Sequence, residues 1–106
     1  MTLEEFLSHL KNSDPVALAM EALHRDFVHA VRDENMYKNF LGEIRSDYPS
    51  SDKVAIMGSG NWKYSLNPKK DFSEYNINSD IDVVVICRES FDRTWEELRR
   101  YHRQNF

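Results

Sequence analysis

The sequence predicts one small domain of the α/β (α+β) class, with helices first and a sheet after them. Three observations predict it. Through the first half, apolar residues recur at helical spacing. In the second half stand two short apolar runs rich in β-branched residues, Val54-Ala55-Ile56-Met57 and Ile81-Asp82-Val83-Val84-Val85-Ile86. A last helical pattern follows from Ser90. The division expected is an N-terminal helical segment over 1–52 and a strand-bearing core over 53–106.

Each element has a local cause. Thr2 and Glu5 form a capping-box pattern that opens a short helix, with Phe6, Leu7 and Leu10 on one side. Asn12-Ser13-Asp14-Pro15 then breaks and restarts the chain: Ser13 or Asp14 can cap, and proline suits the first helical position. Val16, Met20, Leu23, Phe27 and Ala30 or Val31 continue at helical spacing, as do Met36, Tyr37, Phe40, Leu41 and Ile44. These predict one long helix kinked at the polar patch 32–35, or two helices in series. Tyr48-Pro49-Ser50-Ser51-Asp52 ends the helical half. The run 54–57, closed by Gly58-Ser59-Gly60, reads as a buried strand. The stretch 61–79 is polar and turn-rich, and its aromatics Trp62, Tyr64, Phe72 and Tyr75 argue that parts of it pack down. The run 81–86 is apolar on both faces and reads as a central strand. Phe91, Trp95, Leu98, Tyr101 and His102 are spaced for a final helix.

Composition narrows the function classes. The chain has 106 residues and a net charge of -4. That length allows one domain with a modest core. No apolar run approaches the roughly 20 residues of a spanning helix. Met1-Thr2-Leu3-Glu4-Glu5 is acidic and lacks the basic-then-apolar order of a signal peptide, so a cytoplasmic location without membrane attachment is expected. The single cysteine, Cys87, excludes an internal disulfide and reads as a small buried hydrophobe. Residues 1–52 carry 5 Lys/Arg against 10 Asp/Glu, whereas residues 53–106 carry 9 against 8. Basic residues thus gather in the strand-bearing half, which fits a local anionic ligand better than a broad nucleic-acid footprint.

Two features carry chemistry. Gly58-Ser59 directly follows a buried strand. Glycine there lets the backbone turn sharply and approach a ligand, and free N–H groups at the start of a following turn suit a phosphate, with the serine hydroxyl as a further donor. Asp80-Ile81-Asp82 opens the second strand. Residues i and i+2 of a strand share a side, so both carboxylates would lie together with Ile81 turned into the core. Two adjacent carboxylates call for a hard cation, and magnesium binds in this way while keeping positions for substrate phosphates. Taken singly, a Gly-Ser turn or a solvated Asp-x-Asp loop end is unremarkable; their order and spacing join them.

That ordered pattern resembles the polymerase-β-like nucleotidyltransferase superfamily. Here it reads Ala55-Ile56-Met57-Gly58-Ser59, then Ser79-Asp80-Ile81-Asp82-Val83-Val84-Val85. The resemblance covers 54–106 and does not extend to the helices before it. It implies a small mixed sheet of the nucleotidyltransferase fold. It implies Asp80 and Asp82 as catalytic residues and as ligands of Mg2+ (or Mn2+), with Gly58 and Ser59 gripping a triphosphate. The implied reaction moves a nucleoside monophosphate from a nucleoside triphosphate such as ATP to a hydroxyl and releases pyrophosphate. The acceptor, whether nucleotide, nucleic-acid end, protein or small molecule, stays open. The spacer is about twice that of small stand-alone members. It looks more like that of members that make oligonucleotide or cyclic-nucleotide signals, or that act on nucleic-acid ends. The family also places a third carboxylate on a later strand. The sequence ends in or just after the helix that would precede it, so the N-terminal part of a catalytic domain is expected.

Other residues are weighed beside these. Lys63, Lys69 and Lys70 lie in the spacer that would overhang the site, and Lys63 in particular is read as a nucleotide contact, against a solvated loop. Arg88 is a further candidate. Trp62, Tyr64 and Phe72 either stack on a base or pin the loop to the core. Asp92, Glu96 and Glu97 suit an exposed helix start, and Arg99, Arg100 and Arg103 its end. His9, His24, His29 and His102 show no zinc-like spacing. The alternative function is a catalytically inactive nucleotidyltransferase-like module of antitoxin or regulatory type. It would hold a protein partner on its N-terminal helices through Leu23, Phe27, Val31, Phe40 and Ile44.

Overall fold

The computed structural model of the chain describes residues 1–105. Helix α1 (Leu3–Asn12) begins where the capping box puts it: Thr2 accepts the Glu5 N–H at 3.1 Å. Helix α2 (Pro15–His24) starts with proline in its first turn, and Asp14 accepts the N–H groups of Val16 and Ala17. Helix α3 (Glu34–Asp47) is capped by Asp33, whose carboxylate accepts the Met36 N–H at 2.9 Å. Of the two forms expected for this stretch, the structure has two helices in series.

The break between α2 and α3 falls earlier than the polar patch suggested. Val28 and Val31 exchange backbone hydrogen bonds of 3.2 and 3.1 Å, closing a tight turn over His29 and Ala30. The His29 and Ala30 N–H groups donate to the carbonyls of Asn61 and Gly60. Tertiary partners therefore take up backbone groups that a continuous helix would have used internally. Helical spacing of Phe27, Ala30 and Val31 is not helix here.

Strands β1 (Lys53–Met57) and β2 (Asp82–Ile86) pair antiparallel, with Val54 opposite Val85 and Met57 opposite Asp82. Between them lie α4 (Ser59–Trp62) and a 3-10 turn (Pro68–Lys70). Helix α5 (Arg88–Asn105) follows β2. The chain is thus helices plus a small antiparallel sheet. Among the described residues that sheet has two strands, not the mixed arrangement expected, and β2 is not central. Val54, Ala55 and Ile56 are buried, whereas Val83 and Ile86 are exposed, because β1 is covered by helices and β2 has no strand on its far side. Ile81, expected in the core, is 45% exposed and precedes the strand. Cys87 is half-buried at the end of β2, not a core residue. No residue of α5 is buried. Among the described residues, no helix is long and apolar enough to cross a membrane.

Two clusters hold the helical half to the strand half. Phe6 and Ala22 pack with Trp62 and Tyr64, the Phe6 ring lying 5.5 Å from that of Tyr64. Val28 and Tyr37 pack with Ile56, and the Tyr37 hydroxyl accepts the Ile56 N–H at 3.0 Å. Phe6 is fully buried, and truncation of such a phenylalanine to alanine removes about 3–5 kcal/mol. The first cluster pins α4 against α1 and α2, and the second holds β1 against α3 and the 28–31 turn.

Candidate functional site

The site is built where β1 ends and β2 begins. Met57 faces Asp82 across the sheet, so the residue after Met57 meets the start of β2. That residue is Gly58, at φ 68° and ψ -149°, a region open in practice to glycine alone. A Cβ on Gly58 would stand 3.1 Å from Oδ2 of Asp82. Glycine is needed here twice, for the backbone angle and for the approach to the carboxylate.

Helix α4 starts at once. The N–H groups of Asn61 and Trp62 both donate to the Gly58 carbonyl, and that of Lys63 to Ser59. The N–H groups of Ser59 and Gly60 precede these bonds and take no part in them. Gly60 is closely packed: a Cβ there would lie 3.1 Å from the Ile56 side chain, which would have to shift by a few tenths of an ångström.

The spacer is ordered by turn chemistry. Ser65 donates its N–H to Ser73 and Tyr75 to Lys63, folding 63–75 back on itself. Asn67 caps the 3-10 turn by accepting the Lys69 N–H. The Asn76 side chain accepts the Asn78 N–H, and the Ser79 hydroxyl accepts the Asn76 N–H. These turns deliver Asp80 to the same place as Asp82, although Asp80 lies before the strand and the two do not share a strand face.

The result is one polar cleft of about 310 Å³, lined by Ser59, Asp80 and Asp82 together with Lys70, Glu74 and serine and asparagine side chains of the spacer. A larger concavity lies elsewhere: an apolar groove of about 860 Å³ between Tyr48, the end of β2 and the start of α5. Its lining offers one carboxylate, Asp52, which already accepts the Arg88 N–H. The chemistry-bearing residues are in the smaller, polar cleft.

Lys63 is placed differently from Ser59, Asp80 and Asp82. It closes α4 at φ 86°, and its ammonium lies 3.6 Å from a Glu74 carboxylate oxygen and over the Tyr64 ring. It does not line the polar cleft; Lys70 does. Trp62 and Tyr64 are buried beside Phe6 and so pin the loop, leaving no free faces for a base. Arg88 lines the apolar groove. Glu96 pairs with Arg99, Arg100 and Arg103 along α5, surface contacts of small energetic weight. Of the residues suggested as a partner surface, Val31 and Phe40 pack against the second cluster, and Phe27 is exposed.

The donor set of the cleft suits a hard cation. It consists of two carboxylates and hydroxyl or amide oxygens, and magnesium commonly takes one or two carboxylates and fills its remaining positions with waters and substrate phosphates. Among the described residues, no group of three or more His, Cys, Asp or Glu side chains is gathered closely enough to hold a metal alone.

Sequence patterning does not point to Asn61. It is fully buried, and its Nδ2 donates to the carbonyls of Ala22 at 2.9 Å and Ile56 at 2.8 Å. It ties α2 to β1 through α4. One signal was available, a polar residue between Gly60 and Trp62 in a segment that must turn, but the Ala22 partner is set by tertiary structure.

No family model, curated protein or solved structure matches the chain.

Proposed function

We propose that this chain acts as a magnesium-dependent nucleotidyltransferase, moving a nucleoside monophosphate from a nucleoside triphosphate to a hydroxyl acceptor with release of pyrophosphate. One observation carries the reading: Ser59, Asp80 and Asp82, distant in sequence, line one polar cleft, with Gly58 set against the Asp82 carboxylate. The resemblance to the nucleotidyltransferase pattern supports it.

Asp80 and Asp82 would hold the magnesium, which when bound supplies charge neutralisation and activation of the acceptor hydroxyl. The chain's own groups do the rest. The Ser59 hydroxyl and backbone N–H, in the turn after Gly58, would donate to phosphate oxygens. The Lys70 ammonium, in the same cleft, offsets the charge of the triphosphate. Gly58 keeps the Asp82 carboxylate within reach by carrying no side chain. The acceptor oxygen forms the new bond to the α-phosphorus as the bond to pyrophosphate breaks. Such a transfer asks of a protein chiefly positioning and charge compensation.

The test is incubation with labelled nucleoside triphosphates, magnesium and a panel of acceptors, following pyrophosphate release. Asp80→Asn and Asp82→Asn should abolish release while leaving the fold intact. Undiminished release by a folded double variant would sink the mechanism.

A further inference from the structure

Helix α5 carries an apolar stripe that the rest of the chain leaves uncovered. Phe91, Trp95, Leu98 and His102 recur at alternating steps of four and three residues, the spacing that lays side chains along one seam of a helix. Phe91, Trp95 and Leu98 are each more than half exposed, and no residue of the 18-residue helix is buried. A helix of this length gains most of its stability in water by packing such a face. The stripe is continuous with the apolar groove, since Phe91 lines that groove beside Tyr48 and Val85.

Shape is the first clue to what covers it. Trp95, Leu98, Arg99 and His102 bound a hollow of about 360 Å³ on the helix surface, with Arg103 at its edge. They stand at i, i+3, i+4 and i+7, the four corners that receive one side chain of a facing helix.

Charge is the second clue. Asp92 follows Phe91 and Arg99 follows Leu98, so both lie on the same flank of the stripe, two turns apart. When two copies of α5 pack antiparallel, like flanks face each other. With the two-fold axis between Trp95 and Leu98, Asp92 of each copy meets the partner's Arg99. Trp95 of each copy then stands over the other's hollow, at the level of Leu98. The opposite flank sets Thr94 against the partner's Tyr101, without charge conflict. In a parallel pair Arg99 would face the partner's Thr94, and no opposite charges would meet. Within one chain Arg99 has Glu96 at 3.8 Å on an exposed surface, a contact of small energetic weight that is readily exchanged. The stripe is complementary to itself, as an isologous two-fold contact requires.

We propose that α5 is a self-association surface, on which the α5 of a second copy of this chain docks antiparallel along Phe91, Trp95, Leu98 and His102. One helix pair buries less than the roughly 1,600 Å² of a standard interface, so the dimer is weak, with a Kd on the order of 10–100 μM. The surface is separate from the Asp80/Asp82 cleft and does not rest on the nucleotidyltransferase reading.

The experiment is sedimentation equilibrium of the chain across concentrations that bracket this Kd, at low ionic strength. A monomer–dimer equilibrium is expected, and Trp95→Ala should abolish it. Asp92→Arg turns both flank contacts into like-charge pairs, as does Arg99→Asp, so each should weaken the dimer by about tenfold or more. Mixing these two charge variants should restore dimers of the parent's strength, because each supplies the charge that the other lacks. All three side chains are exposed, so the monomer fold should persist, which circular dichroism checks. The proposal is overturned by a chain that stays monomeric at the highest concentration, which leaves the face to a partner of other chemistry. It is also overturned by dimers that charge reversal and mixing leave unchanged.

Discussion

Gly58 leaves room for the Asp82 carboxylate, because Met57 and Asp82 are opposed in the sheet: a Cβ at position 58 would come within 3.1 Å of it. Gly58→Ala therefore acts twice. The backbone at φ 68°, ψ -149° becomes strained by about 1–3 kcal/mol, and the carboxylate must move. Urea denaturation should show a loss of that size. Nucleotide affinity should fall further than the lost stability explains. An alanine variant as stable as the parent would contradict the backbone account.

Asn61 joins three elements through its two donated hydrogen bonds. Asn61→Ala leaves the Ala22 and Ile56 carbonyls without those donors inside the protein, so it should destabilise by about 1–3 kcal/mol. Hydrogen exchange should report the loss at β1 and at the 28–31 turn before it appears at α5. Uniform loss across the chain would count against a local joint.

Neutral His29 is favoured in the folded state. Burial first, then the Arg32 and Lys63 cations, hold its pKa below the ordinary value. The unfolded chain then binds a proton more readily than the folded one, so protonation favours unfolding. The stability contributed by the neutral ring is full above about pH 6.5 and is lost as pH falls from there toward the lowered folded-state value. Urea midpoints should decline across this window, and His29→Gln should remove part of the decline. A slope unchanged by that substitution would assign it to other groups.

The sequence carried its local signals well and its tertiary ones poorly. Thr2 with Glu5, and Asp14 with Pro15, specify helix starts by contacts within a few residues, and each starts where expected. Phe27, Ala30 and Val31 kept helical spacing yet lie in a tight turn, because the N–H groups of His29 and Ala30 are taken by α4. Nothing within that segment announces partners 30 residues away. The β-branched run of β2 predicts a strand, and it is one. Its place in a sheet depends on neighbours, which periodicity does not encode, so its expected burial did not follow.

For the candidate site, spacing alone singles out Ser59, Asp80 and Asp82, and they line one cleft. Lys63 is suggested only by its place in the spacer. It closes α4 with its ammonium beside Glu74 and outside the cleft, which Lys70 lines instead.

The proposed function requires Asp80 and Asp82 to form a magnesium-dependent triphosphate site. The most direct measurement is calorimetric titration of the chain with ATP, with and without magnesium, beside Asp82→Asn. Saturable binding that needs magnesium and is lost in a folded Asp82→Asn variant is the predicted result. Binding that is absent, or that is indifferent to both the metal and the substitution, would contradict the account.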